Sequence, residues 1–402
     1  MADQLNTKPL KGLKILEMGQ LLAGPFASVL LAWFGAEVIK IEPPGIGDPL
    51  RTWRKLHNGT ALWWYILGRN KKCITLNLRE PKGQEIARRL AQNVDAVVEN
   101  FKPGTLEKWG LGYEQLKEIN AGVIMVRVSG WGQTGPQSHK PGYASVAEGV
   151  GGLRYVNGYP DRPPTRTNLS LGDTLAGLHA ALGLMTAIYH RDVNGGRGQI
   201  VDVAIYESVF NMMESLVPEY DMYGEIRERQ GSRLTGVVPT NTYLCKDGKY
   251  IIIGGNGDSV FKRFMHAIGR CDLAEDPRFK HNNNRVEHEQ EIDDAISNWT
   301  NGHTYQEVLG ALEEAQVPAG PIYSIADIMQ DEHYIARGMF ENATLPDGTQ
   351  VKLPTFAPKF NNTPGSTEWV GPPLGAHNNE IYCGLLGMCE RELVELREQG
   401  II

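Results

Sequence analysis

Residues 13–42, Leu13-Lys-Ile-Leu-Glu-Met18-Gly-Gln-Leu-Leu-Ala-Gly24-Pro25-Phe-Ala-Ser-Val-Leu-Leu-Ala-Trp33-Phe-Gly-Ala-Glu-Val38-Ile-Lys-Ile41-Glu42, decide the fold. Leu13 to Met18 reads as a strand, Pro25 to Trp33 as a helix and Val38 to Ile41 as a second strand. The alternation continues outward from there. Cys73 to Leu78 is strand-like, Gly83 to Ala91 helical, Ala96 to Val98 a short buried strand and Val123 to Val128 a further one. Strands separated by helices of this size build a parallel sheet with helices on its faces, an open α/β domain.

The 402 residues exceed what one ordinary core covers, so more than one folding unit is expected. Hydrophobic residues at 41% and charged residues at 22% describe an ordinary globular chain. The longest helical signal runs from Asp173 to Tyr189, with Leu175, Leu178, Leu182, Met185 and Tyr189 on roughly one face. It stops near Asn194-Gly195-Gly196, before a strand at Ile200 to Ala204. Beyond a charge-dense stretch around 225–233 the composition changes. Tyr243 to Gly248 with Tyr250 to Ile253 reads as a hairpin through Lys246-Asp247-Gly248, followed by helical patterns at Val260 to Ile268, Glu289 to Trp299 and Tyr305 to Ala315. This is a smaller α+β domain. Pro318 to Pro321 begins a return, and a last helix is expected near Arg391 to Gln399.

With 40 basic against 47 acidic residues the net charge is -7, which gives no global attraction for nucleic acid, so an anionic ligand has to be caught by a local basic patch. The five cysteines are scattered, without CxxC pairs or Cys/His clusters, so neither a structural metal nor a disulfide framework is expected. The first residues lack a basic region followed by an apolar stretch, and no apolar run approaches the length of a membrane helix. A cytoplasmic enzyme that meets no membrane is the expectation.

Dinucleotide binding needs G-x-G-x-x-G straight after the first strand, and Gly19 to Gly24 has the wrong spacing. Walker, HExxH and GxSxG patterns are missing too. Carboxylate chemistry remains. Asp173, between Gly172 and the long helix, is an N-cap candidate, and most aspartates so placed only cap. The same geometry suits catalysis: amides at a helix N-terminus favour an ionised carboxylate, and carboxylates act as covalent nucleophiles. Gly172 and Gly177 would let a large ligand approach, and composition does not choose between the two roles. Lys71, Lys72 and Arg79 flank one expected strand, and Lys102 and Lys108 follow another. They are either phosphate-binding groups at a sheet crevice or a solvated surface.

Several motifs taken in order resemble the class III CoA-transferase family, also called CaiB/BaiF. They are Leu-Leu-Ala-Gly24-Pro25-Phe, Trp33 to Glu42, Arg69-Asn70-Lys71-Lys72, Glu99-Asn100-Phe101-Lys-Pro103-Gly104, Gly130-Trp-Gly-Gln133-Thr-Gly135-Pro136, Gly172-Asp173, Gly196-Arg197-Gly198-Gln199 and Val317-Pro318-Ala-Gly-Pro321. The resemblance implies a Rossmann-like open parallel sheet domain from residues 1–224 and 326–402, a smaller α+β domain from 225–325, and an interlocked homodimer. It implies Asp173 as the nucleophile, acyl-CoA and carboxylic acid as substrates, no permanently bound cofactor and no metal. By the same matching Leu76, Arg79, Asn100, Phe101, Lys108 and Tyr143 would touch CoA or line the site.

Residues from Tyr206 through Gly231-Ser232 are similar to members that move CoA from succinyl-CoA to C4 or C5 dicarboxylates, with Arg227, Arg229 or Arg233 as anchors for the second carboxylate. The alternatives are a formyl-CoA/oxalate enzyme, a carnitine-type enzyme and a 2-methylacyl-CoA racemase. Leu22 stands where the oxalate enzymes carry Gln. Gly142-Tyr143 replaces the Gly-His step of the racemases, and a tyrosine hydroxyl is a poor neutral-pH base.

Overall fold

The computed structural model describes residues 8–402, so most of the amino-terminal stretch read for a targeting signal lies outside the described residues. Two compact units emerge. The first comprises the chain up to Leu153, Thr167–Glu214 and Ile335–Ile402; the second comprises Arg154–Arg166 and Ser215–Tyr334.

Unit one is built on β1 (Lys14–Glu17), β2 (Glu37–Glu42), β3 (Lys71–Thr75), β4 (Ala96–Glu99), β5 (Ile124–Ser129) and β6 (Ile200–Ala204). These form one sheet of order β3-β2-β1-β4-β5-β6, with every neighbouring pair parallel. The order reverses between β1 and β4, the doubly wound pattern that leaves a crevice at the carboxyl ends of those strands. Helix α1 (Ala23–Trp33) is apolar on almost every side and buried on almost every side. Helix α2 (Pro81–Ala91) follows β3, α3 (Ala144–Val150) follows β5, and α4 (Leu171–Val193) precedes β6.

Strand β3 departs from its expected place. It begins at Lys71, not Cys73, and ends at Thr75, so Leu76 to Leu78 leave the sheet. A lysine occupies a fully buried strand position here because its ammonium is neutralised by Glu17 at 2.6 Å, a partner distant in sequence.

Helix α4 begins two residues before Asp173 and turns its leucine face outward. Its buried residues are Gly172, Ala176, Gly177, Ala180, Leu184 and Ala187, which lie on the side opposite Leu178, Leu182 and Tyr189 at 100° per residue. Leu182 is 65% and Tyr189 62% exposed. Small residues win the buried side because the helix approaches its neighbours closely: a Cβ on Gly177 would lie 2.8 Å from Phe26 Cδ1, and one on Gly183 would lie 2.6 Å from Val201 Cγ1. With a mean hydropathy of 1.3 over an 18-residue window, α4 is long and apolar enough by length and composition to cross a bilayer. Counting uninterrupted apolar runs misses it, since Thr174, His179 and Thr186 punctuate it; its small-residue face packs in the core of unit one.

The returning segment closes the open edge of β3 with side chains. Trp369 Nε1 donates to Lys71 O (3.0 Å), Cys73 N–H donates to His377 Nδ1 (3.1 Å), Thr75 N–H donates to Asn378 Oδ1 (2.9 Å) and Tyr382 O–H donates to Thr75 O (2.6 Å). An edge strand otherwise presents unpaired backbone groups to solvent.

Unit two carries an antiparallel sheet of β7 (Thr240–Leu244), β8 (Tyr250–Gly254) and β9 (Ala319–Pro321). The expected hairpin joins β7 to β8, and Ala319 to Pro321 extends that sheet rather than starting the return. The helices Asp258–Ala267, Glu289–Gly302 and Tyr305–Glu314 cover it, burying Phe261, Phe264, Ile292, Ile296, Val308 and Leu312.

Candidate active site

Asn100 directly follows β4 and ties the two loops of the crevice together. Its Oδ1 accepts Gln20 N–H at 2.8 Å and its Nδ2 donates to Gln20 O at 2.7 Å. A Cβ at Gly19 would meet Asn100 Oδ1 at 2.9 Å, which explains a glycine after β1. Phe101 N–H donates to Glu99 Oε2 at 2.7 Å, and the Phe101 ring stands edge-on to Trp109 with centroids 5.3 Å apart. Glu99 is buried in the sheet, and that burial pushes its carboxyl up to about 6 although Arg127 Nε at 2.7 Å pulls the other way.

Asp173 is not the cap of its helix. Ser170 holds the N-cap position, and Asp173 is the third helical residue, half-buried in the first turn. Unpaired amides of that turn favour negative charge. The turn is closely packed. A Cβ on Gly172 would lie 3.3 Å from both Ala144 Cβ of α3 and Ile205 Cγ2, and Gly172 N–H donates to the buried Glu148 Oε1 at 3.4 Å. One turn further, a Cβ on Gly177 would lie 2.9 Å from Ala23 O, at the start of α1. The Asp173 turn therefore sits against α3 on one side, while α1, which rises from the loop held by Asn100, packs one turn along. Tyr143 immediately precedes α3 and is 73% exposed.

The other expected contacts lie at the same carboxyl edge. Leu76 follows β3, but its side chain is in the core and its N–H donates to Glu42 O at 2.8 Å. Arg79 is exposed three residues later, and Lys108 is exposed at the end of the short helix Thr105–Lys108. A cleft of about 500 Å³ opens at the last residue of β3, lined in part by Thr75, Gly375, Asn378 and Arg397; none of the sequence-derived site residues lines it.

Lys71 and Lys72 do not gather at this edge. They begin β3, at the opposite end from the crevice, and are consumed by ion pairs with Glu17 and with Glu37 and Glu380. In unit two, Arg227 Nη2 pairs with Glu219 at 2.9 Å, Arg233 Nε pairs with Asp293 at 2.9 Å, and Arg229 Nη1 donates to Tyr155 O at 2.8 Å.

Sequence reasoning missed two features. One is Glu148, which only the packing of α3 on α4 brings to Gly172. The other is a buried cluster of three acids and three bases: Glu17, Glu42 and Asp48 with Lys40, Lys71 and Arg51. Its signal was present as charges inside apolar strands, and Glu17 and Lys40 are register partners on β1 and β2.

Known proteins resemble this chain in sequence and in fold. Residues 10–378 match the model of CoA-transferase family III. A succinyl-CoA–D-citramalate CoA-transferase of Chloroflexus aurantiacus is 48% identical over 403 residues, covering 100% of both chains. The beta subunit of a succinyl-CoA–L-malate CoA-transferase from the same organism is 39% identical, again over 100% of both. A crystal structure of a CaiB/BaiF family protein from Brucella suis superposes with a TM-score of 0.82 at 32% identity, covering 94% of this chain and 100% of that one.

Proposed function

Because this chain belongs to CoA-transferase family III and is thus an enzyme that transfers CoA, we propose that it moves CoA from succinyl-CoA to a C4 or C5 dicarboxylate through covalent intermediates on Asp173. The observation that carries the mechanism is the half-buried carboxylate in the first turn of α4, wedged beside α3 at the carboxyl edge of the sheet. The names of the citramalate and malate relatives support the choice of donor and acceptor.

An Asp173 oxygen attacks the thioester carbonyl of succinyl-CoA, the C–S bond breaks, and a succinyl-aspartyl anhydride forms with release of CoA thiolate. The thiolate attacks the aspartyl carbonyl, giving an aspartyl-CoA thioester and free succinate. A carboxylate of the acceptor then attacks that thioester, forming a second anhydride and thiolate. Attack of the thiolate on the acceptor's carbonyl yields the new acyl-CoA and restores Asp173. Both anhydrides are hydrolysable, so the Asp173 turn has to exclude water during turnover. Arg79 and Lys108, exposed at this edge, would meet the phosphates of CoA, and the Asn100 clamp, Phe101, Leu76 and Tyr143 would shape the approach to Asp173. Arg227, Arg229 and Arg233 stay the candidates for the acceptor's second carboxylate; Arg229 differs from the other two in pairing with no carboxylate among the described residues.

Incubating the protein with succinyl-CoA and a panel of acids, and following CoA exchange by mass spectrometry, tests the assignment. Citramalate, malate and their five-carbon analogues are expected to be converted fastest. Short monocarboxylates winning that competition would remove the dicarboxylate reading, and solvent deuterium entering C2 of an acyl-CoA without CoA exchange would replace transfer by racemisation.

The apolar stripe of α4, Leu178, Leu182, Tyr189 and Val193, we assign to contact with a second copy of this chain, the partner in an interlocked homodimer. Burying one leucine is worth about 1.5–3 kcal/mol. Because interlocked chains part only on unfolding, Leu182→Glu is expected to refold from denaturant with at least a tenfold smaller ratio of dimer to monomer than the parent, read by sedimentation velocity. Unchanged sedimentation would show that this stripe is not the contact.

A further inference from the structure

The loop 19–22, between β1 and α1, is held from both sides, and one of its residues is strained. Leu21 has φ +63°, a left-handed conformation that non-glycine residues adopt only when their surroundings enforce it. The enforcing group is Asp48. Its two carboxylate oxygens accept Leu21 N–H at 3.1 and 3.2 Å, and Oδ1 also accepts Leu50 N–H at 2.9 Å. Asp48 is 1% exposed and pairs with the equally buried Lys40 at 2.8 Å. Lys40 in turn binds Glu17 at 2.6 Å and donates to Gly19 O at 2.9 Å, so the same ammonium grips the start of the loop. On its other flank the loop is clamped by Asn100. Where it ends, at Ala23 and Phe26, it touches α4 one turn beyond Asp173.

We propose that Asp48 is a positioning residue for CoA transfer: through its ion pair with Lys40 it holds the strained loop 19–22 in the shape that fixes the reacting acyl group against the Asp173 turn. The inference rests on the reading of Asp173 as nucleophile. Nothing in Asp48 itself reaches the crevice; it acts through the Leu21 amide. Loss of that hold displaces the loop by a fraction of its own width, and misplacement of about 1 Å at a reacting centre costs about a hundredfold in rate.

The test follows acylation of Asp173 by succinyl-CoA in a single turnover, quenched rapidly and read by peptide mass spectrometry, for the parent, Asp48→Asn and Leu21→Val. Asparagine keeps the shape of Asp48 but loses the charge that pairs with Lys40. Valine at 21 leaves the ion cluster untouched and resists a positive φ because it is β-branched. Both variants are expected to acylate about a hundredfold more slowly than the parent, with kcat falling and the Kd for CoA unchanged. A merely structural role for Asp48 would lower the melting temperature without this split between kcat and Kd. Should Asp48→Asn prove insoluble, Leu21→Val decides alone. Acylation at the parent rate in either soluble variant overturns the proposal. A parent chain that turns over without any label on Asp173 overturns instead the nucleophile reading beneath it.

Discussion

Asp173→Asn and Asp173→Ala are expected to abolish CoA exchange while leaving CoA binding intact. Asparagine preserves the size of the side chain at the third position of α4, so the packing of Gly172 on Ala144 and Ile205 stays as it is. What disappears is the nucleophilic oxygen. No neighbouring group of the first turn can take over, because Glu148 is turned into the core and accepts Gly172 N–H. Removal of a covalent nucleophile that acts in every step should lower kcat by on the order of 10⁴ or more, which corresponds to about 5.5 kcal/mol of lost transition-state stabilisation. Calorimetric titration with CoA should return the parent affinity, since the expected nucleotide contacts lie after β3 and β4. The parent enzyme, treated with borohydride during turnover, should carry a reduced carboxyl at 173. Residual exchange in Asp173→Asn above a hundredth of the parent rate would mean that another group carries the acyl chain.

The second large effect concerns stability. Lys71→Met is expected to destabilise unit one by about 3–5 kcal/mol, because it leaves part of a buried acid uncompensated. Lys71 is fully buried, with Nζ 2.6 Å from Glu17 Oε2 and 2.9 Å from Pro25 O. Such a loss is a large share of the roughly 5–15 kcal/mol that holds a typical domain folded, and a urea titration should show it as a lower midpoint. Its pH dependence has a definite sign. Burial by itself would raise the Glu17 carboxyl, but Lys40 and Lys71 together overcome it and hold Glu17 at about 2, against an ordinary 4.5. A depressed carboxylate contributes stability that is fully present above the unfolded value and is lost as pH falls from about 4.5 towards about 2. Without Lys71 the Glu17 carboxyl should titrate higher, so acid unfolding of Lys71→Met should begin at a higher pH than in the parent. Coincident acid transitions for the two proteins would contradict this account of the cluster.

Much of the architecture follows from local pattern. The alternation from Leu13 to Ile41, the hairpin through Asp247-Gly248 and the end of the long helix at Asn194 were all readable, because periodicity, turn residues and caps act over a few neighbours. The residue types of the site were readable as well, since Asp173 after Gly172 and Asn100 after an apolar strand are local arrangements. Neither reading offered for Lys71, a phosphate-binding group or a solvated surface, matched its buried place in β3, as the acid that neutralises it is 54 residues away. Which face of the long helix is buried was not legible, for a related reason. Its leucines mark an apolar face, but close approach to Phe26 and Val201 admits only glycine and alanine on the buried side.

Taken alone, the order of residues determined which segments become strands and helices, that strands and helices alternate, and that a carboxylate opens the longest helix. Those properties depend on short-range sterics and on the spacing of apolar groups. Tertiary structure alone decided that Ser170 rather than Asp173 stands at the N-cap position of that helix, that Glu148 and α1 close around its first turns, and that Asp48 grips Leu21 from across the sheet edge. These depend on which charges end up buried together. In a medium of low dielectric a buried charge must find its partner wherever the chain places it, and no local pattern carries that information.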